Sequence, residues 1–212
     1  MRKISAKPPK ESETLIRPDL RRIAELIEPN SRVLDLGCGD GSFLAYLEQL
    51  KQIRPLGVEI DANMVGECVA RGIPVIHGDL NHDLDYLQDQ SFDCVLMTRV
   101  LQELRHPEVI LREVTRIGKR GLVGFINFGH IRNRMQLFFN GKMPFSKTLP
   151  YNWYNTPNIH LGTIRDFRDL CDSLNIEIIH SFPIGRSRSY LDVKLPNLLA
   201  HACIFEIRDR QQ

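Results

Sequence analysis

Short apolar runs alternate along the chain with stretches in which apolar residues recur every three or four positions. The apolar runs predict strands over residues 32–36, 55–60, 74–77, 92–98, 121–126, 176–182 and 202–207. The periodic stretches predict helices over residues 15–27, 42–51, 62–71, 107–117 and 163–175. Strands that are apolar on both faces and alternate with helices are typical of a parallel sheet covered on both sides. We therefore expect an α/β fold with a mainly parallel sheet.

One segment, residues 127–162, departs from this alternation. It holds seven aromatic residues, which are Phe128, Phe138, Phe139, Phe145, Tyr151, Trp153 and Tyr154. A solvated linker would not concentrate aromatic side chains in this way, so we expect an ordered insertion that packs over the sheet or against another surface. The helix after it opens with Thr163 and has Asp166 three residues later, which is a capping-box pattern.

Composition narrows the class of protein further. The 212 residues include 28 Lys and Arg against 26 Asp and Glu, so the net charge of +2 argues against a protein that binds nucleic acid or anionic membranes.

Residues 1–14 are polar and predict a flexible tail, and residues 15–212 predict one domain with the insertion inside it. Neither a secretory signal nor an apolar run of about 18 residues is present, so we expect a cytoplasmic protein without membrane spans.

The cysteines indicate structural thiols. There are five of them, Cys38, Cys68, Cys94, Cys171 and Cys203, and no two have a zinc-ligand or C-x-x-C spacing. Cys94, Cys171 and Cys203 lie within apolar runs, which favours small buried side chains. We expect a reducing compartment and no metal site.

The most informative motif is the glycine-rich turn at residues 35–41, Asp-Leu-Gly-Cys-Gly-Asp-Gly, between the first predicted strand and the next helix. In open α/β sheets, ligands bind at such turns, beyond the carboxyl ends of the strands. The dinucleotide fingerprint fits poorly, because its third glycine is replaced by Ser42 or, one frame later, by Leu44. The motif of a phosphate-binding loop fits poorly as well, because the turn is not followed by its Lys-Ser or Lys-Thr pair.

Acidic residues mark the turn instead. Asp35 and Asp40 would repel a pyrophosphate and attract a cation, such as the ammonium and sulfonium of S-adenosylmethionine. Glu59 ends the second strand and can accept both ribose hydroxyls, and Asp79 follows the third strand and can accept from an adenine amino group. Taken singly, each acid is equally consistent with a surface position beside a tight turn. Because these acids fall together at the ends of predicted strands, the pattern favours a site for S-adenosylmethionine.

This constellation resembles the class I S-adenosylmethionine-dependent methyltransferases, which have a Rossmann-like sheet. The resemblance implies a seven-stranded sheet with one reversed edge strand and a site for S-adenosylmethionine or S-adenosylhomocysteine. It implies that Asp35 holds the ammonium, that Glu59 takes the ribose and that Thr98 lies near the sulfonium. The remaining cofactor residues that it implies are Gly37, Cys38, Gly39 and Gly41 in the turn, with Asp79 and Leu80 at the adenine.

The insertion resembles the MetW family of methionine-biosynthesis proteins. The matching segments are residues 128–130, 133–134, 141–144 and 149–160, and the family also carries the glycine-rich turn. The resemblance implies a role in methionine biosynthesis beside a homoserine O-acyltransferase, which such proteins support or activate. It does not imply an established methyl acceptor.

Two functions therefore stay open. One is a cofactor-binding protein that supports homoserine acylation, which we favour; the other is an active methyltransferase on a small molecule. The N/D-P-P-Y/F motif is missing after the fourth predicted strand, which disfavours amino-group and adenine acceptors. The insertion supplies the substrate or partner candidates. They are His130 and His160 as bases or as structural histidines, Arg132, Arg134, Lys142 and Lys147 for an acidic ligand or as a solvated face, and Tyr151, Trp153 and Tyr154 as a substrate cover or an interface.

Overall fold

The computed structural model describes residues 17–82, 84–146, 148–185 and 195–211. The expected tail, the beginning of the first predicted helix and Lys147 lie outside these residues. Within the described part of the chain, none of the helices combines the length and the apolar character that a membrane span requires.

Seven strands form a single sheet in the order β3-β2-β1-β4-β5-β7-β6. Their bounds are Arg32–Leu36 (β1), Arg54–Glu59 (β2), Val75–His77 (β3), Cys94–Thr98 (β4), Gly121–Ile126 (β5), Ile176–Ile184 (β6) and Ala202–Asp209 (β7). The first five strands pair in parallel, and β7 runs antiparallel to both of its neighbours. The predicted mainly parallel sheet is confirmed, and each predicted strand lies within a few residues of its observed position.

The reversed strand does not lie at the edge, so that implication of the resemblance is wrong. β7 lies between β5 and β6, and β6 is the edge strand. The burial of the two strands gives the physical reason. Residues 203–207 of β7 are buried on both faces, whereas most residues of β6 are only half-buried. A strand that is apolar on both faces gains more free energy from an inner position than from an edge.

Helices cover both faces of the sheet. Among the described residues they are Pro18–Leu26 (α1), Ser42–Lys51 (α2), Ala62–Ala70 (α3), Pro107–Ile117 (α4), Ile131–Asn140 (α5), Ile164–Ser173 (α6) and Pro196–Leu199 (α7), with one 3₁₀ turn at Leu101–Glu103. The capping box that opens α6 is confirmed, since the Thr163 hydroxyl accepts from the backbone of Asp166 and the Asp166 carboxylate accepts from the backbone of Thr163.

Two apolar layers separate the sheet from its helices. Leu96 and Met97 are adjacent in β4, yet they belong to different layers because side chains alternate along a strand. The Met97 layer includes α4 and α6, and the Leu96 layer includes α1 and α2. Both side chains are fully buried, as expected for a sheet that is covered on both sides. All five cysteines are free and buried, which confirms the predicted structural thiols.

The insertion after β5 is attached to the body of the protein through backbone hydrogen bonds. The Asn127 N–H donates to the His201 carbonyl, and the N–H groups of Ile159 and His160 donate to the Gln102 carbonyl. Most of its seven aromatic side chains are exposed to solvent. Six of them are exposed, namely Phe138, Phe139, Phe145, Tyr151, Trp153 and Tyr154. The segment therefore presents apolar side chains outward from an anchored backbone.

Candidate functional site

The glycine-rich turn leaves β1 with three glycines in the left-handed region, at φ values of 81°, 59° and 72°. A Cβ at Gly37 would overlap the Val100 side chain, and one at Gly41 would lie 2.9 Å from the Cys68 sulfur. A Cβ at Gly39 would meet nothing within 4 Å. Gly37 and Gly41 therefore allow close packing, and Gly39 leaves open space beside the backbone.

The carboxylate of Glu59 holds this turn in place. Its Oε2 accepts a hydrogen bond from the Gly39 N–H at 2.8 Å, and its Oε1 accepts from the N–H groups of Ile60 and Asp61 at 2.8 and 2.9 Å. The N–H groups of Gly37 and Cys38 donate to the Val58 carbonyl. The end of β2 thus fixes the turn after β1.

Asp35 is a buried carboxylate at the end of β1. It is 3% exposed, and its Oδ1 has no hydrogen-bond partner among the described residues. The pKa of Asp35 is raised to about 7, because burial and, to a smaller extent, the nearby Glu59 carboxylate raise it while Arg17 acts in the opposite direction. A bound cation would stabilise a buried acceptor of this kind, which has no partner in the described part of the chain and lies near a second carboxylate. This fits the ammonium of the predicted cofactor.

A cleft of about 250 Å³ opens beside Glu59 and brings together four of the residues predicted from sequence. We call it the β1–β2 cleft, and the four predicted residues are Gly37, Glu59, Asp79 and Leu80. The Asp79 carboxylate accepts from the Asn81 N–H and from its Nδ2, both at 2.9 Å, and these bonds hold the pKa of Asp79 below its usual range. The cleft therefore combines fixed carboxylates with an apolar wall.

The other predicted turn residues take different positions. The Cys38 side chain packs inward, because its sulfur occupies the space beside Gly57 and lies 3.9 Å from the Cys68 sulfur. Burial raises the pKa of the Cys38 thiol. Asp40 forms an ion pair with Arg71 at 2.9 Å. Thr98 is half-buried at the end of β4. Because the Cys38 side chain packs inward, the part of Cys38 that can line a ligand site is its backbone.

A second cavity, of about 550 Å³, lies beyond the end of β4. We call it the basic cavity, because Arg99, His130, Arg132 and His201 line it. His130 caps α5, and its Nδ1 accepts from the Arg132 N–H at 3.1 Å. The rings of His130 and His201 stack with their centroids 3.9 Å apart. Of the predicted candidates, His130 and Arg132 thus lie together.

The remaining insertion candidates are dispersed. Arg134 donates from Nε to the Gly129 carbonyl at 2.6 Å. His160 lines a separate apolar groove with Phe167, so the two predicted histidines do not share a cavity. Lys142 is exposed. Tyr151, Trp153 and Tyr154 lie at the surface and are 48%, 74% and 71% exposed.

Sequence reasoning missed Arg99 and His201 in the basic cavity. Arg99 directly follows Thr98, and its φ of 65° places it in the left-handed region. Its position directly after β4 could have identified Arg99 as a site residue, since ligands bind beyond the carboxyl ends of parallel strands. His201 precedes β7, and the start of an antiparallel strand lies at that same edge of the sheet. Among the described residues, no group of three or more His, Cys, Asp or Glu side chains is arranged to hold a metal ion.

Comparison with known sequences and structures adds to this geometry. A sequence model of the family described as "Methionine biosynthesis protein MetW" matches residues 17–207. A protein of Rhodopirellula baltica described as "Bifunctional methionine biosynthesis protein MetXA/MetW" is 34% identical over 176 residues. That match covers 79% of this chain and 28% of the relative, so the chain spans little more than a quarter of the relative's length.

Solved structures share the fold at low sequence identity. An S-adenosylmethionine-dependent methyltransferase from Mesorhizobium loti is 17% identical with a TM-score of 0.66, and the match covers 90% of this chain and 96% of that one. The [4+2]-cyclase SpnF is 16% identical with a TM-score of 0.64, and the match covers 90% of this chain and 80% of that one. Because proteins with different activities share this fold, the likeness alone does not define a reaction.

Proposed function

The chain belongs to the MetW family of methionine biosynthesis proteins and has the class I methyltransferase fold, and from this premise we propose that it binds S-adenosylmethionine and supports a homoserine O-acyltransferase through protein contacts. The observation that carries the cofactor assignment is the buried, unpartnered Oδ1 of Asp35 at the end of β1. The ammonium of the cofactor would satisfy this oxygen and stabilise the ionised carboxylate.

The other residues of the turn have assigned places in this proposal. Gly41 closes the turn, and the backbone of Gly37, Cys38 and Gly39 lines the methionine and ribose parts of the ligand. Glu59 accepts from the ribose. Its carboxylate has about four acceptor sites, three of which already receive backbone N–H groups, so it accepts one hydroxyl without losing an internal bond.

The far end of the ligand lies in the β1–β2 cleft. Asp79 accepts from the adenine amino group, and Leu80 packs against the ring. Thr98 lies on the side of the sulfonium. When bound, S-adenosylmethionine supplies an activated methyl group, but support of an acyltransferase does not require its transfer.

The partner assignment rests on one relative and one surface. The Rhodopirellula baltica relative carries MetXA and MetW in a single chain, which favours a physical association between the corresponding proteins. The surface, which we call the aromatic surface, is the part of the insertion that exposes Phe138, Phe139, Phe145, Tyr151, Trp153 and Tyr154. Phe138 packs edge-on against Phe139, and Trp153 packs edge-on against Tyr154. Exposed large aromatic side chains are typical of protein interfaces. We assign this surface to the homoserine O-acyltransferase.

A bound cofactor also gives the complex a regulatory signal. S-adenosylmethionine is made directly from methionine, so its occupancy reports the output of the pathway to the acyltransferase. Acylation by the complex is expected to differ with and without S-adenosylmethionine. Equal rates at saturating cofactor would contradict this signal.

An active methyltransferase remains the second candidate, because the basic cavity lies beside the end of β4, where an acceptor would meet the sulfonium. Its histidines are then the candidate bases. Release of labelled methyl groups into a product in cell extract would support this function.

Calorimetric titration tests the cofactor assignment. Asp35→Asn keeps the size of the side chain and removes its charge, so it should weaken S-adenosylmethionine binding by about tenfold or more. Adenosine, which lacks the ammonium, should bind both proteins equally. If S-adenosylmethionine also binds both equally, Asp35 does not hold the ammonium.

A further inference from the structure

The basic cavity is a candidate binding site that support of an acyltransferase does not use. It is walled by α1, α5 and the residues at the ends of β4 and β6 and at the start of β7. Its volume of about 550 Å³ is roughly twice that of the β1–β2 cleft. Small-molecule sites in proteins are typically cavities of several hundred cubic ångströms with a few convergent polar groups.

The charges at this cavity favour an anion. Arg99 and Arg132 are cationic, and Asp19 is the one carboxylate among the described lining residues. The Asp19 Oδ2 lies 3.2 Å from the Arg17 guanidinium and 3.7 Å from Arg99 Nε, so its charge is shared between two arginines. The remaining field at the cavity is positive, which attracts an anionic ligand.

The histidine pair gives the cavity a wall of fixed orientation. The Nδ1 of His130 accepts from the Arg132 N–H, so the neutral ring carries its proton on Nε2. His130 is 7% exposed and stacks on His201 with an angle of 17° between the rings. The cap of α5 and the ring contact therefore fix the imidazole. A side chain that is already fixed contacts a ligand at a lower entropic cost than a mobile one.

The apolar part of the wall distinguishes an organic ligand from an inorganic one. Phe145, Ile184 and Ala202 line the cavity beside the basic groups. An inorganic anion would use the arginines and leave these side chains in contact with water. We propose that the basic cavity binds a small organic carboxylate, with Arg99 and Arg132 toward the carboxylate and the apolar wall along its carbon chain.

This site goes beyond the proposed function, because it needs neither S-adenosylmethionine nor the acyltransferase. Butyrate, succinate and L-2-aminobutyrate are suitable probes, since they carry a carboxylate on a short chain with different second groups. Butyramide is the uncharged control ligand, and inorganic phosphate is the anionic control ligand without a carbon chain. Two-dimensional amide NMR of the full chain reports both affinity and location.

We expect at least one carboxylate to bind and to shift the amide signals of His130, Arg132 and His201. Butyramide and phosphate should bind at least about tenfold more weakly, a difference equal to one charge-assisted hydrogen bond. Arg132→Gln should weaken the carboxylate by a similar factor. Arg165→Gln is the matched control, because each arginine is the second residue of a ten-residue helix and Arg165 does not line the cavity.

Three results would overturn the proposal. One is that none of the three carboxylates binds at about 20 mM, far above the roughly 1 mM scale of weak small-molecule sites. Another is that butyramide or phosphate binds as tightly as the best carboxylate. The third is that Arg132→Gln and His201→Gln, each confirmed as folded by its spectrum, bind the carboxylate as tightly as the unchanged protein.

Discussion

The carboxylate of Glu59 accepts the backbone N–H of Gly39 at 2.8 Å, across the gap between β2 and the turn after β1. This bond joins the residue proposed to hold the ribose to the glycine that has open space beside its backbone. The shape of the proposed ligand site is therefore set by a side chain of the neighbouring strand as well as by the glycines themselves.

Replacement of Glu59 should affect stability and binding together. Glu59→Gln loses a charged acceptor and places an amide NH₂ against backbone N–H groups. We expect the free energy of unfolding to fall by about 1.5–3 kcal/mol, the contribution typical of hydrogen bonds to a charged group. Urea denaturation measures the change, and Glu67→Gln on the exposed face of α3 is the control. A Glu59 variant as stable as the control would show that the turn does not depend on this carboxylate.

The buried Asp35 should give the free protein a distinctive pH dependence. The pKa of Asp35 is raised to about 7 in the folded state from an ordinary value of 3.8. Between these values the folded protein binds the proton that the unfolded chain has lost, so this group lowers stability as the pH rises. Asp35→Asn should therefore be more stable than the unchanged protein at pH 8, and the difference should shrink toward pH 5.

The same group predicts the pH dependence of cofactor affinity. Only the ionised Asp35 carboxylate attracts an ammonium, so S-adenosylmethionine binding should strengthen as the pH rises from about 5.5 to 7.5. Calorimetric titration at several pH values measures this trend, with Asp35→Asn as the flat control. A flat profile for the unchanged protein would place the ammonium elsewhere.

Two glycines of the turn should respond differently to an added methyl group. Gly37→Ala forces a Cβ into Val100 at a positive φ, so it should destabilise the fold by more than the roughly 1–2 kcal/mol of left-handed strain alone. Gly39→Ala bears the strain without a clash, and its methyl group occupies the open space beside the backbone. We expect it to weaken cofactor binding more than it lowers the melting temperature. The opposite ranking would mean that Gly39 does not face the ligand.

The aromatic surface should matter for association and little for folding. Trp153 is 74% exposed and Phe139 is 68% exposed, so Trp153→Ser and Phe139→Ser should each change stability by no more than about 0.5 kcal/mol. Interface aromatics commonly contribute about 2 kcal/mol or more, so each variant should weaken a complex with the acyltransferase about 30-fold. Val69→Ser, at an exposed position of α3, is the control. Unchanged affinity in both aromatic variants would exclude this surface as the interface.

The fold was predictable to the extent that local pattern determines it. Apolar runs located the strands, and the Thr163 and Asp166 pair located the start of α6. The inner position of β7 was not predictable from pattern, because strand pairing joins residues distant in sequence. The position follows from the burial of residues such as Phe205 on both faces of the sheet.

The candidate site shows the same division. Gly37 and Asp79 follow strands and Glu59 ends one, so all three could be found by counting along the strands, and they meet in one cleft. His201 could not, because it reaches the basic cavity through the reversed strand. The exposure of the insertion's aromatic residues could not be predicted either, since composition alone does not distinguish a buried aromatic side chain from an exposed one at an interface.

The most direct test of the account is acylation of homoserine by the corresponding O-acyltransferase, purified alone and together with this protein. We predict a stable complex and a higher acylation rate when the protein is present, with both effects weakened by Trp153→Ser and retained by Val69→Ser. Separate elution of the two proteins and an unchanged acylation rate would contradict it.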